Sequence, residues 1–152
     1  MKKIIAVLTC LVLFVALMTG CSEKSEIKSL ISDFQGACNE LDLNEMLECI
    51  DPAISVPIKT AAGLIGMFSD TSTDDMLEQL SNVLISGTPQ GGKEFFSSIK
   101  ISVDEISISG DKADVSAGLK YSIAGEDHET ETVFKCVKSE DKWYISSFSL
   151  KK

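Results

Sequence analysis

The sequence predicts an α+β domain, with helices first and a bent four-stranded antiparallel meander after them. Two observations predict it. Apolar residues recur at helical spacing as far as residue 87, and from residue 99 onward the spacing becomes alternate. Short turn signals rich in Gly, Asp and Glu then cut the alternating stretch into four strands. Connections that short join antiparallel neighbours and leave no room for crossover helices.

The helical half reads as follows. Ile27, Leu30, Ile31, Phe34, Cys38 and Leu41 fall on one face of a first helix. Asp42 stands as a cap with Glu45 three residues on, and Leu41 and Met46 occupy staple positions. The second helix uses Leu43, Met46, Leu47 and Ile50 and stops at Asp51-Pro52. Pro52 and Pro57 are expected to frame a loop. Ile58 to Phe68 reads as a helix weakened by Gly63 and Gly66, or alternatively as a flexible lid holding Lys59. The acid-rich run Asp70 to Asp75 caps a further helix carrying Met76, Leu77, Leu80, Val83 and Leu84 on one side. That helix ends at Ser86-Gly87, and Gly87 to Lys93 is expected to be a turn-rich linker.

In the strand half, Ile99, Ile101 and Val103 alternate, Asp104-Glu105 breaks phase, and Ile106 and Ile108 continue on the shifted register. Such a slip predicts a bulge and a bend. After a Gly110-Asp111 turn, alternation runs unbroken from Ala113 to Ile123. Gly125 to Asp127 turns the chain, Thr130 to Val137 forms the third strand, Ser139 to Asp141 turns again, and Lys142 to Leu150 forms the fourth.

The N-terminus carries a different kind of signal. Lys2 and Lys3 precede an apolar run from Ile4 to Met18, broken only by Thr9, and then Leu17-Met18-Thr19-Gly20-Cys21. A basic start, a short apolar stretch and small residues before a cut site describe an export signal. The run is about 15 residues, short of the ~20 needed to cross a bilayer, which sets a plain membrane anchor behind export. The Cys after small residues resembles a bacterial lipobox. That resemblance implies cleavage between Gly20 and Cys21 and a diacylglyceryl thioether on Cys21, with ordinary secretion and a free Cys21 thiol as the alternative. Several acyl chains together give stable anchoring. The expected organisation is a signal helix over 1–20, a lipidated polar tether over 21–26 and one domain over 27–152. The Lys-only basic content and the Ser after the Cys resemble low-GC Gram-positive chains, which would put the protein on the extracytoplasmic face of the cell membrane.

Charge bounds the partners. The whole chain has a net charge of −9, and residues 21–152 hold 12 Lys and no Arg against 23 acids, a net charge of about −11. Nothing here clusters lysines for a phosphate backbone, so no nucleic acid is expected. An acidic domain is also repelled by anionic lipid, leaving the lipid on Cys21 to hold the membrane. The acidity reads first as solubility, and alternatively as attraction for a cationic partner.

Cys38, Cys49 and Cys136 remain after processing, an odd number that cannot all pair. Each sits among apolar neighbours, as a small buried hydrophobe would. A disulfide involving Cys136 and a zinc site with His128 are alternatives, the second lacking any CxxC spacing. Gly87 to Glu94 nearly spells a phosphate-binding loop, but Glu94 replaces the hydroxyl residue and would repel phosphate, and a β-patterned segment is expected to follow where a helix is needed. His128, the only histidine, lies among Glu126, Asp127 and Glu129 beside an expected hairpin turn, where such groups are solvated. Asp70, Asp74 and Asp75 lack calcium-loop spacing and are better read as caps. No catalytic residue, metal site or cofactor is expected.

Two stretches resemble the NTF2-like (SnoaL-like, cystatin-related) superfamily, and within it small bacterial lipoproteins of unknown function. One runs from Ile27 through Phe34 to Leu47 and Pro52, like the opening helix pair of that fold. The other runs from Ile106 through Gly110-Asp111 to Val115, with Phe134 to Lys138 and Asp141-Lys142-Trp143-Tyr144-Ile145 after it. The resemblance implies a bent sheet wrapped around helices, often over a conical cavity. Residues 53–86 depart from it, since a strand would be expected there. Enzymes of the superfamily, such as ketosteroid isomerase and scytalone dehydratase, place Asp, Tyr or His inside the cavity. Here no Asp or His falls on an inward strand face, and Tyr121 shares its face with Leu119 and Ile123. The expected function is therefore a non-enzymatic binding module, with Phe34, Tyr121, Phe134, Trp143 and Tyr144 as candidates for a cavity or contact surface, or simply for the core. A small apolar ligand, a protein partner and a homodimer are the expected occupants. A SnoaL or ketosteroid-isomerase-like enzyme acting on a small apolar substrate is the alternative.

Overall fold

The computed structural model describes residues 22–68, 72–87 and 92–151. The leader, Cys21 and the Asp70-Thr71 end of the expected cap lie outside the described residues.

The first helix, α1, covers residues 22–40. The expected tether over 22–26 is thus helical and forms the opening of α1. Burial of Ile27, Leu30, Ile31, Ala37 and Cys38 follows the apolar stripe. Leu41 ends the helix in the left-handed region (φ 59). Its N–H donates to Cys38 and that of Asp42 to Ala37, the paired bonds of a Schellman ending. Asp42 then caps α2 (Leu43–Cys49), accepting the Glu45 N–H at 2.9 Å.

The loop expected between Pro52 and Pro57 is instead the beginning of a helix, α3 (Pro52–Phe68), with Pro57 inside it. Asp51, read as the stop of α2, is the cause. Its carboxylate accepts the Ala53 N–H, and its carbonyl accepts those of Ile54 and Ser55. Pro52 has no N–H to lose at a first helical position. α4 (Thr73–Gly87) is capped by Ser72, whose Oγ accepts the Asp75 N–H and donates to the Asp75 carboxylate. Leu47, Ala62 and Leu77 join α2, α3 and α4 in a small apolar cluster, while Ile54, Ile58 and Leu64 of α3 stay exposed.

The linker expectation also changes at its end. Residues 88–91 lie outside the described residues, but Gly92–Ser98 forms a short helix, α5, so a helix and not a strand follows the glycines. Glu94 there accepts the Gly125 N–H at 2.9 Å. Its carboxylate holds a hairpin turn, a structural use that accounts for an acid at this position.

Four antiparallel strands follow in the order β1-β2-β3-β4: β1 (Lys100–Ser109), β2 (Lys112–Ile123), β3 (Glu126–Ser139) and β4 (Lys142–Leu150). β3 starts at Glu126 and not at Thr130, because the turn closes in two residues, Ala124 and Gly125, both at positive φ. The expected bulge is present at Asp104, and a second at Ser146 offsets β4 against β3. Bulges bend and twist a sheet. α1 lies in the resulting hollow, and its apolar stripe packs with Ile106, Val115, Phe134, Cys136, Trp143 and Ile145 as the main core.

Candidate binding groove

The core contains almost no chemistry. Ser55 and Thr132 are the buried polar residues among those described, and no charged side chain is buried. Thr132 Oγ donates to the Ser149 carbonyl. The three thiols are free and buried. Burial, with Cys49 next, pushes Cys38 up to about 11. Burial, with Asp33 next, does the same to Cys49, and burial raises Cys136 to about 12. All three stay protonated and inert at neutral pH.

The five sequence-chosen aromatics do not form one site. Phe34 and Phe134 meet edge to face at 6.4 Å within the core. Tyr121 lies farther along the sheet, between Phe95 at 5.1 Å and His128 at 5.3 Å. His128 is exposed on β3, opposite Tyr121, and stacks on its ring. Tyr144 pairs with Val137 on the face opposite Trp143, and the Lys142 ammonium sits 5.3 Å from its ring. Of the five, Trp143 is the one that lines the cavity beside α1.

That cavity is an open groove of about 650 Å³ between α1, α2 and the β3–β4 turn. Its floor includes Leu30, Ala37, Cys49 and Trp143. Its walls carry six carboxylates: Glu26, Asp33 and Glu40 from α1, Glu45 and Glu48 from α2, and Asp141 from the turn. Glu48 is ion-paired, to Lys59 at 3.7 Å, and none of the other five has a salt-bridge partner among the described residues. The one cation along the groove, Lys142, lies against Tyr144. A second groove of about 530 Å³ shares Glu40 and adds Asp42, Asp74, Asp75 and Glu78, with Lys93 as the one cation of its lining. Sequence reasoning passed over this track because it followed apolar faces. The signal was there: Glu26, Asp33 and Glu40 recur every seven residues, which keeps them on one side of α1.

Trp143 adds a second feature. Its ring is 2% exposed, and its indole Nε1 is the buried side-chain nitrogen or oxygen without a hydrogen-bond partner among the described residues. A buried donor without an acceptor is costly. Lys138 approaches the same ring at 6.0 Å and donates to Glu23 at 3.0 Å.

No protein-family model matches the chain, and no curated protein matches its sequence. Solved structures do match its architecture. A designed NTF2 protein aligns over 85% of this chain and 99% of its own, at 10% identity and a TM-score of 0.54. An NTF-2-like protein of unknown function from Shewanella oneidensis aligns over 86% and 99%, at 14% identity and a TM-score of 0.54. The fold is NTF2-like. A protein of unknown function from Mycobacterium tuberculosis gives the same picture, with 89% of this chain and 74% of that one, 11% identity and a TM-score of 0.53. At such identities the likeness is one of fold. In this NTF2-like chain the hollow of the sheet is occupied by Phe34, Phe134 and the α1 stripe, and the acidic groove opens beside α1 on its outer flank.

Proposed function

We propose that the chain is a lipid-anchored extracytoplasmic binding module without catalytic activity, attached to the membrane through Cys21. The observation that carries the binding reading is the contrast between core and groove. Among the described residues the core buries no charged side chain, whereas the groove collects six solvent-facing carboxylates over an apolar floor. Catalysis by proton transfer calls for a group whose pKa is tuned by its site. Burial holds the three thiols protonated, and the bond to Glu23 that raises the Lys138 pKa also ties that ammonium down.

The anchoring reading is supported by the order of residues 1–21 and by the start of α1. Residue 22 is already helical, so a lipid on Cys21 would hold the domain against the membrane with almost no slack. No helix among the described residues is long and apolar enough to cross a membrane.

The test is a pair of mass spectra on the full chain purified from membranes. The denatured spectrum should show a chain beginning at Cys21 with added diacylglyceryl mass. An uncut or unmodified N-terminus would overturn the anchor. The native spectrum should retain extra mass that denaturation releases, or show a complex with a partner. Turnover of a small apolar substrate in the hollow would overturn the non-enzymatic reading.

A further inference from the structure

We propose that the groove along α1 receives an extended basic peptide segment of a protein partner, with Lys or Arg side chains on the acidic row and one backbone carbonyl accepting the Trp143 Nε1–H. This deepens the binding reading above and rests on it.

Three observations select this ligand. First, the carboxylates are strung out and not gathered. Glu26, Asp33 and Glu40 are spaced by seven residues of helix, about 10 Å per step and about 21 Å in all. No three His, Cys, Asp or Glu side chains among the described residues converge to hold a metal ion. The row therefore suits a chain of separated cations better than a single ion. An extended peptide advances about 3.3 Å per residue, so a basic residue at every third position keeps step with the row. Second, the row is open to an incoming cation. Five of the six carboxylates lack an ion-pair partner among the described residues, and Lys142 is held by Tyr144. The track continues past Glu40 into the neighbouring acidic groove, so a longer segment has somewhere to go.

Third, Trp143 separates a peptide from a simple polycation. Its N–H is a donor only, and it lacks an acceptor while its ring lies along the groove. A polyamine carries ammonium donors and no acceptor, so it would leave this nitrogen unpaired. A peptide brings a carbonyl with every residue. The nitrogen is covered in the free protein, so this binding mode requires the indole to turn as the carbonyl arrives.

The experiment exploits Trp143 as the single tryptophan of the chain. The full chain, in a non-ionic detergent, is titrated with a synthetic peptide of about ten residues bearing Lys at every third position. Calorimetry reads affinity and tryptophan emission reads the site. Expected are a saturable change in emission, weakening as salt is raised, and a loss of affinity of at least about tenfold in the D33N/E40Q double variant. Both substitutions are on exposed positions and should leave the fold intact, as circular dichroism checks. W143F, which keeps an aromatic side chain but removes the N–H with part of the indole, is expected to weaken the peptide by about tenfold in calorimetry while circular dichroism shows the fold retained. Spermine binding as tightly as the peptide, with W143F neutral, would overturn the peptide assignment. So would an affinity indifferent to D33N/E40Q, or no binding at all. If the native spectrum shows a retained ligand and the peptide does not bind, the binding reading stands and this inference alone falls.

Discussion

Glu23 and Lys138 bind the opening of α1 to the end of β3, Oε1 to Nζ at 3.0 Å across 115 positions of sequence. Both side chains are largely screened, at 26% and 21% exposed. The hydrogen bond to Glu23 is the main cause that raises the Lys138 pKa above its ordinary 10.5. A raised lysine pKa means that the stabilisation is fully present below pH 10.5 and is lost as pH climbs through the raised value. Glu23→Gln should therefore lower the thermal midpoint at pH 7, and the gap from the parent should close at strongly alkaline pH. Melting curves of both proteins across that range decide it. A gap that is constant with pH would mean that the pair contributes through packing alone.

Phe134 and Phe148 stand directly opposite each other on β3 and β4, with ring centroids 6.1 Å apart, yet one is 3% exposed and the other 61%. The bulge at Ser146 brings Phe148 onto the core face, where it nevertheless stays exposed. Phe134→Ala removes a filled core position and should cost about 3–5 kcal/mol. Phe148→Ala should cost less than about 1 kcal/mol. Urea denaturation of the two variants compares them, and equal losses would show that the β4 end is as tightly packed as the centre.

The strands were legible because alternation is a strong local signal, and from Ala113 to Ile123 nothing interrupts it. The bulge at Asp104 was legible for the same reason, as a phase slip between Val103 and Ile106. The start of α3 was not, because Pro52 and Pro57 read as breakers when taken singly. What overrides them is the triple use of Asp51 as a cap. α5 was hidden because its two aromatics are adjacent, and because Phe95 is held by Tyr121, a residue far along the chain. The groove was the least legible part. Periodicity marks what is buried, whereas Glu26, Asp33 and Glu40 face solvent, and Asp141 and Glu45 join them only through tertiary packing.

The thiols provide a chemical test of burial and of Cys21 together. Cys38, Cys49 and Cys136 are raised to about 11, 11 and 12, chiefly by burial. At neutral pH none should react with a thiol reagent in the native protein, and all three should react in denaturant. A lipidated Cys21 adds nothing to either count, whereas a free one adds one fast thiol to the native count. The same shifts fix an alkaline limit. The unfolded thiols release their protons near pH 9 while the folded ones hold theirs, so stability is unaffected below pH 9 and falls from there through about pH 12. Denaturation midpoints between pH 8 and pH 11 should decline, and Cys136→Ala should flatten part of that decline. A native protein whose buried thiols react rapidly at pH 7 would contradict the packing of α1 on the sheet.

Gly36 lies inside α1 at the edge of the groove, where an added Cβ would meet no atom within 4 Å. No turn or positive φ calls for glycine there, so the residue costs helix stability without any local return. Gly36→Ala should raise stability by about 0.5–1 kcal/mol, the usual penalty of a mid-helix glycine. Its small side chain should leave the groove open. Gly36→Phe should keep the helix and place a ring in the groove between Asp33 and Glu40. It should therefore abolish binding of the Lys-bearing peptide while the protein stays folded. Denaturation of both variants, read beside the tryptophan titration, separates the two roles of this position. If Gly36→Ala gives no gain in stability, the glycine is compensating something within α1. If Gly36→Phe still binds the peptide at full strength, the ligand runs elsewhere than along α1.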